Sequence, residues 1–375
     1  MKILKFWNPS DMTTPPTTPT APRVLLLYRN ACNLEGIIRT WAKNADAVFC
    51  PTKRRDVNFL PEGHIFNWSQ FGRIRENLAK RKYDLVICTA VSDSCWRWNR
   101  SPLKNISLLL KMFLKNFPSL GIPLLLPQIR SSGVPLIVLD WEDNTILARK
   151  NWPLLEACTW YFKTQCPVNP LKAFLFQDKR NDCVFNISRN NKYKELGAKI
   201  RPVSLGLEIP AYLDSCRSPE KKADIFFAGA VYYSWIRIHG KKMLEQLAGE
   251  GCIVDLPSEK LDHKTYLKRT SEAWLIWSPE GGEWDNARHY ESLLMGSVPV
   301  INYPPNWRYR PFEDRKHVLY YDVAGEHLLT VIREALTDKD RLRTIAQAGA
   351  EFVRQYHYQS TLASYMVDMG LGREL

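Results

Sequence analysis

The sequence predicts an α/β protein of two Rossmann-like, doubly wound domains facing a cleft, and three observations carry that prediction. Short continuous apolar runs alternate with helix-length periodic stretches, the pattern of parallel strands covered on both faces. The alternation pauses in a stretch rich in Pro, Ser and charge at 206–222 and then restarts. Charge changes sign at the same place: 34 basic and 18 acidic residues precede Ala223, whereas 18 basic and 21 acidic residues follow from it. A length of 375 residues is ample for two domains.

The elements follow in order. A Thr/Pro-rich tail at 1–22 is too polar and proline-rich to pack. In the basic domain expected over 23–205, Val24–Tyr28 (VLLLY) reads as a buried strand. A periodic helix at Leu34–Lys43, a strand at Ala47–Cys50, a helix at Gln70–Arg81 and a strand at Leu85–Thr89 come next. Leu103–Phe117 spaces apolar residues between Lys104, Lys111 and Lys115 as an amphipathic basic helix does, and Leu136–Asp140 (LIVLD) is again a continuous apolar strand. After the 206–222 linker, strands are expected at Asp224–Ala228, Cys252–Leu256, Trp274–Trp277, Val298–Asn302 and Val318–Tyr321. Helices are expected at Arg237–Ala248, Lys264–Thr270, Ala287–Met295, Glu326–Leu336, Lys339–Gln355 and Thr361–Asp368. This second domain spans 223–375, and its last helix is free to pack back on the first.

Composition removes several classes. With 45% hydrophobic and 24% charged residues the chain is neither fibrous nor wholly disordered. Nine scattered cysteines without a C-x-x-C pair read as reduced thiols, not as a zinc site or disulfide framework. The apolar run at the N-terminus is short for a signal peptide, and three lysines with two prolines interrupt the window Leu103–Leu126, so a cytoplasmic protein without a bilayer span is expected. Phosphate-loop, G-x-G-x-x-G, G-x-S-x-G, H-E-x-x-H and D-x-D patterns are absent. The basic first half calls for an anionic partner. Without a helix-turn-helix, zinc-finger or RNA-recognition pattern, a phosphorylated substrate or an acidic membrane surface fits that charge better than nucleic acid.

Chemistry concentrates in WSPEGGEWDNARHYESLLMGSVPVIN, Trp277 to Asn302, where a buried strand leads through a glycine turn into a helix. Helix N-termini beyond strand ends bind anions through free N–H groups and the helix dipole. Glu280, Gly281 and Gly282 form the turn, and the two glycines allow a ligand close to the backbone. Asn286 suits either a helix cap or a ligand contact. Arg288 and Glu291, three residues apart, share a helix face: they suit a local ion pair, and equally a diphosphate and a ribose. His289 is expected to face solvent. Asp140, Glu142 and Asp143 follow the end of a buried strand, where a carboxylate could take a proton from an acceptor hydroxyl or cap the turn and position Lys163 or Arg149.

The stretch W-D-N-A-R-H-Y-E-S-L-L-M-G-S-V-P-V-I, Trp284 to Ile301, resembles the donor-site motif of GT-B-type glycosyltransferases. It is closest to the bacterial pattern R-x-Y-E-x-L-x-x-G-x-x-P and is similar more loosely to exostosin-like and CgeB-like families. The likeness extends to Phe226–Gly229 and Arg237, and thinly to Val138–Asp143 and Trp160–Lys163. It implies that Glu291 holds the donor ribose, that Arg288 faces the donor, and that Arg237, or else Lys241 or Lys242, meets the diphosphate. It further implies that Gly281 and Gly282 make room for sugar or phosphate, and that Tyr266 and Trp277 pack near the base. The implied activity is metal-independent transfer from a nucleotide sugar, with no cofactor, to an anionic glycan or a lipid-linked or cell-surface acceptor. Surface polysaccharide or glycoconjugate synthesis, with peripheral contact to an anionic membrane, is the implied setting. A GT-B-like nucleotide- or glycan-binding protein without turnover is the competing expectation.

Overall fold

The computed structural model describes residues 21–28, 34–50, 68–90, 121–175 and 190–373. Most of the Thr/Pro tail and the whole basic segment Leu103–Phe117 lie outside the described residues. The first array runs β1 (Val24–Tyr28), α1 (Glu35–Ala42), β2 (Ala45–Phe49), α2 (Trp68–Ala79), β3 (Leu85–Thr89), α3 (Gly121–Ser132), β4 (Leu136–Asp140), α4 (Trp152–Ala157), β5 (Trp160–Lys163), α5 (Asn191–Gly197) and β6 (Ile200–Pro202). The second runs β7 (Ala223–Phe226), α6 (Trp235–Gly249), β8 (Val254–Asp255), α7 (His263–Ser271), β9 (Ala273–Trp277), α8 (Ala287–Leu294), β10 (Val298–Asn302), β11 (Leu319–Tyr321), α9 (His327–Leu336), α10 (Lys339–Tyr356) and α11 (Gln359–Gly370).

Two sheets result, ordered β2-β1-β3-β4-β5-β6 and β11-β10-β9-β7-β8, and the ladders between their described strands are parallel. Their central strands are mainly apolar because helices cover both faces: β1, β3, β4 and β10 are buried at every position, with a polar residue only at the end of the last three. In the second sheet the strand order reverses between β7 and β9, so a crevice opens beyond their carboxyl ends.

Two strands escaped the sequence pattern. β5 (WYFK) ends in Lys163, whose ammonium is buried and paired with Asp140 at 3.2 Å, and β6 is only three residues long. Helix α3 escaped it too, because Pro127 stands inside it.

The 206–222 stretch is itself tied down. Leu207, Leu213 and Cys216 are buried, and Leu207 bridges to Tyr358. Gly206 has φ +64°, and a Cβ there would meet a Leu362 methyl at 2.6 Å and the His357 carbonyl at 2.7 Å. Helix α11 crosses back to α1, β4 and β5. Trp41 Nε1 donates to the Ala363 carbonyl at 3.1 Å, Trp160 Nε1 to the Met369 carbonyl at 2.9 Å, and the Gly36 amide to Gln359 Oε1 at 2.8 Å.

Between the sheets lies a buried ion pair of Asp285 and Arg308. Asp285 also accepts from the Leu205 amide and the Tyr290 hydroxyl, each at 2.6 Å, while Arg308 Nη1 donates to the Thr164 carbonyl at 3.2 Å. Burial alone would raise the Asp285 pKa, but Arg308, the Leu205 amide and Tyr290 outweigh it and hold the carboxyl below its usual range. A second crossing joins Trp307 N to the Cys166 carbonyl at 2.8 Å and Asn306 Nδ2 to Gln165 Oε1 at 2.5 Å.

The described cysteines, Cys50, Cys88, Cys158, Cys166, Cys216 and Cys252, are free thiols. Among the described residues no helix is long and apolar enough to cross a membrane.

Candidate functional site

The crevice of the second sheet is floored by the turn after β9, and an arginine braces that turn from beneath. Ser234 caps α6 by accepting from the Arg237 amide at 3.2 Å, which sets Arg237 in the first helical turn. Its fork then donates to the carbonyls of Glu280 and Ala230, each at 3.0 Å. A Cβ on Gly281 would lie 2.5 Å from Arg237 Nη2. Two expectations change: Gly281 makes room for the arginine rather than for a ligand, and Arg237, 7% exposed, shapes the turn with donors already committed to carbonyls. Gly282 does face open space. Glu280 is held by Asn302, which accepts from its amide at 2.9 Å and donates to its carboxylate at 3.1 Å. Lys241 pairs with Glu245 at 3.2 Å along α6.

Helix α8 carries the expected Arg288 and Glu291, and they do not pair with each other. Arg288 Nη2 donates to the Ala228 carbonyl at 3.0 Å, and its guanidinium lies over Phe227, 5.1 Å from the ring centre. Gly229 is needed for this approach, because a Cβ there would stand 2.8 Å from Arg288 Nη2. Glu291, 6% exposed, contacts His263 Nε2 at 2.7 Å. Two buried polar atoms beside it, Arg288 Nη1 and the Tyr266 hydroxyl, make no well-formed hydrogen bond, and the two side chains lie near enough to interact with each other. Burial raises the Tyr266 pKa, with Glu291 adding to the rise and Arg288 opposing it, so all three share one electrostatic neighbourhood. Buried polar groups without well-formed hydrogen bonds are costly and rare, and two side by side can receive the acceptor atoms of a ligand.

Other expectations about this helix fail for packing reasons. Asn286 occupies the N-cap position without capping; its amide donates to the Trp284 carbonyl at 3.2 Å and meets His289 Nε2 at 3.1 Å. His289 is fully buried, not solvent-facing, and burial lowers its pKa to about 4, leaving it neutral. Trp277 is core: it packs on Phe227 at 4.6 Å and donates to the Tyr321 hydroxyl at 3.2 Å.

Across the cleft, the three carboxylates after β4 separate in role. Asp140 is 1% exposed; it accepts from the Glu142 amide at 3.0 Å, the Tyr161 hydroxyl at 2.8 Å and Lys163 at 3.2 Å. Buried and so engaged, it organises the strand end and is not open to an acceptor. Glu142 sits partly buried on that turn. Asp143 is exposed and lines a cavity of roughly 430 Å³ together with Gln165, Lys172, Glu280, Glu283 and Asn306.

Glu283 is the residue that sequence reading passed over. It lines this cavity and a neighbouring one of roughly 380 Å³ bounded by Glu35, Glu208 and Asn286, so it stands between the two. Gln165 Nε2 donates to it at 3.2 Å. Burial first, then the Asp143 and Asp285 carboxylates, push its pKa up to about 8. The only sequence signal was a second acid in the glycine turn. Among the described residues no three His, Cys, Asp or Glu side chains converge as they would around a metal ion.

No protein-family model matches the sequence, and no curated protein does. Solved structures do. One is an α-glucosyltransferase in complex with UDP and a 13-mer DNA containing an HMU base (TM-score 0.53, 9% identity, 94% of this chain and 100% of that one). Another is the E. coli structure described as trehalose-6-phosphate bound with UDP-2-fluoro glucose (TM-score 0.52, 10% identity, 93% and 99%). A third is a glycosyltransferase from Rickettsia africae (TM-score 0.50, 10% identity, 93% and 97%). The chain has the GT-B fold.

Proposed function

We propose that this protein is a glycosyltransferase that moves a sugar from a nucleotide-sugar donor to a glycan, lipid-linked or cell-surface acceptor in surface polysaccharide or glycoconjugate synthesis. The observation that carries the reading is the pair of buried atoms without a well-formed hydrogen bond, Arg288 Nη1 and Tyr266 Oη, beside Glu291 at the crevice of the second sheet. UDP and UDP-2-fluoro glucose in two structures of the same fold support a nucleotide-sugar donor. Glu291 would accept from the ribose and Arg288 would donate to the donor's phosphates. At the cavity they share, Asp143 from the facing domain and Glu283 from the donor-side turn would take the proton of the acceptor hydroxyl.

Calorimetry against UDP, GDP, ADP and CDP tests the donor site. Glu291→Gln and Arg288→Ala are each expected to weaken the best of these by about 1.5–3 kcal/mol, the worth of a charge-assisted hydrogen bond, with the fold intact. Unchanged affinity in both variants would remove the assignment, and loss of folding in both would mark the two residues as structural.

Positive side chains and helix dipoles can carry the departing diphosphate without a metal. Transfer is accordingly expected to survive EDTA; loss on chelation with recovery on adding magnesium or manganese is the contrary result.

The acceptor proposal is shaped by charge. Among the described residues lining the cleft cavity, Asp143, Glu280 and Glu283 face a single lysine, Lys172, which disfavours an anion at the point of transfer. The anionic part of the acceptor, or the surface that carries it, belongs instead with the basic first half and its segment Leu103–Phe117. Co-sedimentation with anionic liposomes, falling as salt rises and lost when Lys104, Lys111 and Lys115 are all changed to glutamine, is the expected result. Equal binding to neutral liposomes counts against membrane contact.

A further inference from the structure

His263 opens α7 and meets Glu291 of α8 through Nε2 at 2.7 Å, while its Nδ1 meets the Tyr212 hydroxyl at 2.7 Å. The proton positions follow from the chemistry of the ends. A carboxylate can only accept, so Nε2 carries the hydrogen toward Glu291; in the neutral ring Nδ1 is then an acceptor for the Tyr212 O–H. The ring cannot turn over without losing both bonds. It is also held flat against Tyr266, with ring centres 6.1 Å apart and planes within 10°. Lys264 covers the Tyr212 ring at 5.1 Å, and Asp262 caps the helix through the Thr265 amide at 3.1 Å. His263 is the only His or Lys/Arg ion-paired with Glu291 among the described residues, and it engages one carboxylate oxygen, Oε1.

We infer that Tyr212 and His263 form a relay that orients Glu291, leaving its second oxygen aimed at the ribose, and that this relay sets the preference for a ribonucleotide over its deoxy counterpart. The inference rests on the proposed reading of Glu291 as the ribose-binding carboxylate. His263 is a positioning residue: it acts through Glu291. A fixed carboxylate rejects a sugar lacking the hydroxyl it was placed to accept from, because one buried carboxylate oxygen is then left without a donor. A carboxylate free to rotate finds other partners and discriminates less.

The experiment measures dissociation constants by calorimetry for the tightest binder among UDP, GDP, ADP and CDP and for its 2′-deoxy and 3′-deoxy forms. In the wild type at least one deoxy form is expected to bind about tenfold or more weakly, the equivalent of one charge-assisted hydrogen bond. In His263→Ala that ratio is expected to fall to within about threefold, in Tyr212→Phe to fall part of the way, and in His263→Gln to recover, since the glutamine amide can donate in place of Nε2. The His263 side chain is 43% exposed, so these variants are expected to fold, which melting curves check. An unchanged ratio in His263→Ala, with the wild type discriminating, overturns the relay alone; an unchanged ratio in Tyr212→Phe overturns the part played by its hydroxyl. No binding of any of the four nucleotides by the wild type overturns the nucleotide reading and the relay with it.

Discussion

Glu283→Gln is expected to lower kcat by about 10²–10⁴-fold, the usual contribution of a positioned acid or base, with little change in nucleotide affinity. The carboxyl stands between the two cleft cavities and shares one of them with Asp143 from the facing sheet. A base acts when deprotonated, and burial with neighbouring carboxylates has pushed this group to about 8. The wild-type rate should therefore rise with pH up to about 8 and level off above it, and the glutamine variant should lose that limb. Stability moves oppositely. A carboxyl whose pKa is raised on folding favours the folded state fully below its unfolded value, and that contribution is lost as pH climbs through the folded value. Glutamine keeps the bonding partner Gln165 without the charge, so the variant should gain on wild type as pH rises from the ordinary carboxylate range to about 8, melt no lower than it near pH 7, and hold a constant lead above pH 8. Scanning calorimetry beside a pH–rate profile checks both; an unaltered rate removes Glu283 from the chemistry.

Asp285→Ala is expected to cost about 3–5 kcal/mol of stability, because it leaves the Arg308 guanidinium buried without its counter-charge. The Tyr290 hydroxyl and the Leu205 amide lose their acceptor at the same stroke. An internal contrast is available in the exposed pair Arg23–Asp84, where Asp84→Ala should cost less than about 1 kcal/mol. Replacing both buried partners, Asp285→Leu with Arg308→Met, should recover much of the loss, since two apolar side chains leave no charge stranded. Urea unfolding at fixed pH measures all four. A loss below about 1 kcal/mol in Asp285→Ala would show that the pair does not hold the crossing between the sheets.

The sheets were legible where burial acts on both faces of a strand, as in VLLLY and LIVLD, because apolar residues run unbroken there up to the strand end. β5 was not, since a lysine ends it; Asp140 on the neighbouring strand, which sequence reading set beside Lys163 only as one alternative, is what pairs with the buried ammonium there. At the site, Arg288 and Glu291 were visible through helical spacing. Their surroundings were not: His263 and Tyr212 come from separate segments, and the space beside Gly281 is filled by an arginine from α6. Spacing reports which residues share a face; it is silent on which element arrives to cover that face. Glu283 illustrates the limit, because its altered proton affinity is made by burial and by Asp143 from the other half of the chain.

Helix α11 has a consequence for synthesis. It seals α1, β4 and β5 by packing Gly370 so tightly that a Cβ there would stand 2.8 Å from Leu85 and 2.9 Å from Ile137. Those strands leave the ribosome before the entire second sheet does, whereas their cover leaves after it. At about 5–20 residues per second, an apolar face of the first sheet stays bare for many seconds of translation, a window in which chaperones can act and misassembly can begin. The first half of this protein is thus made early and finished late.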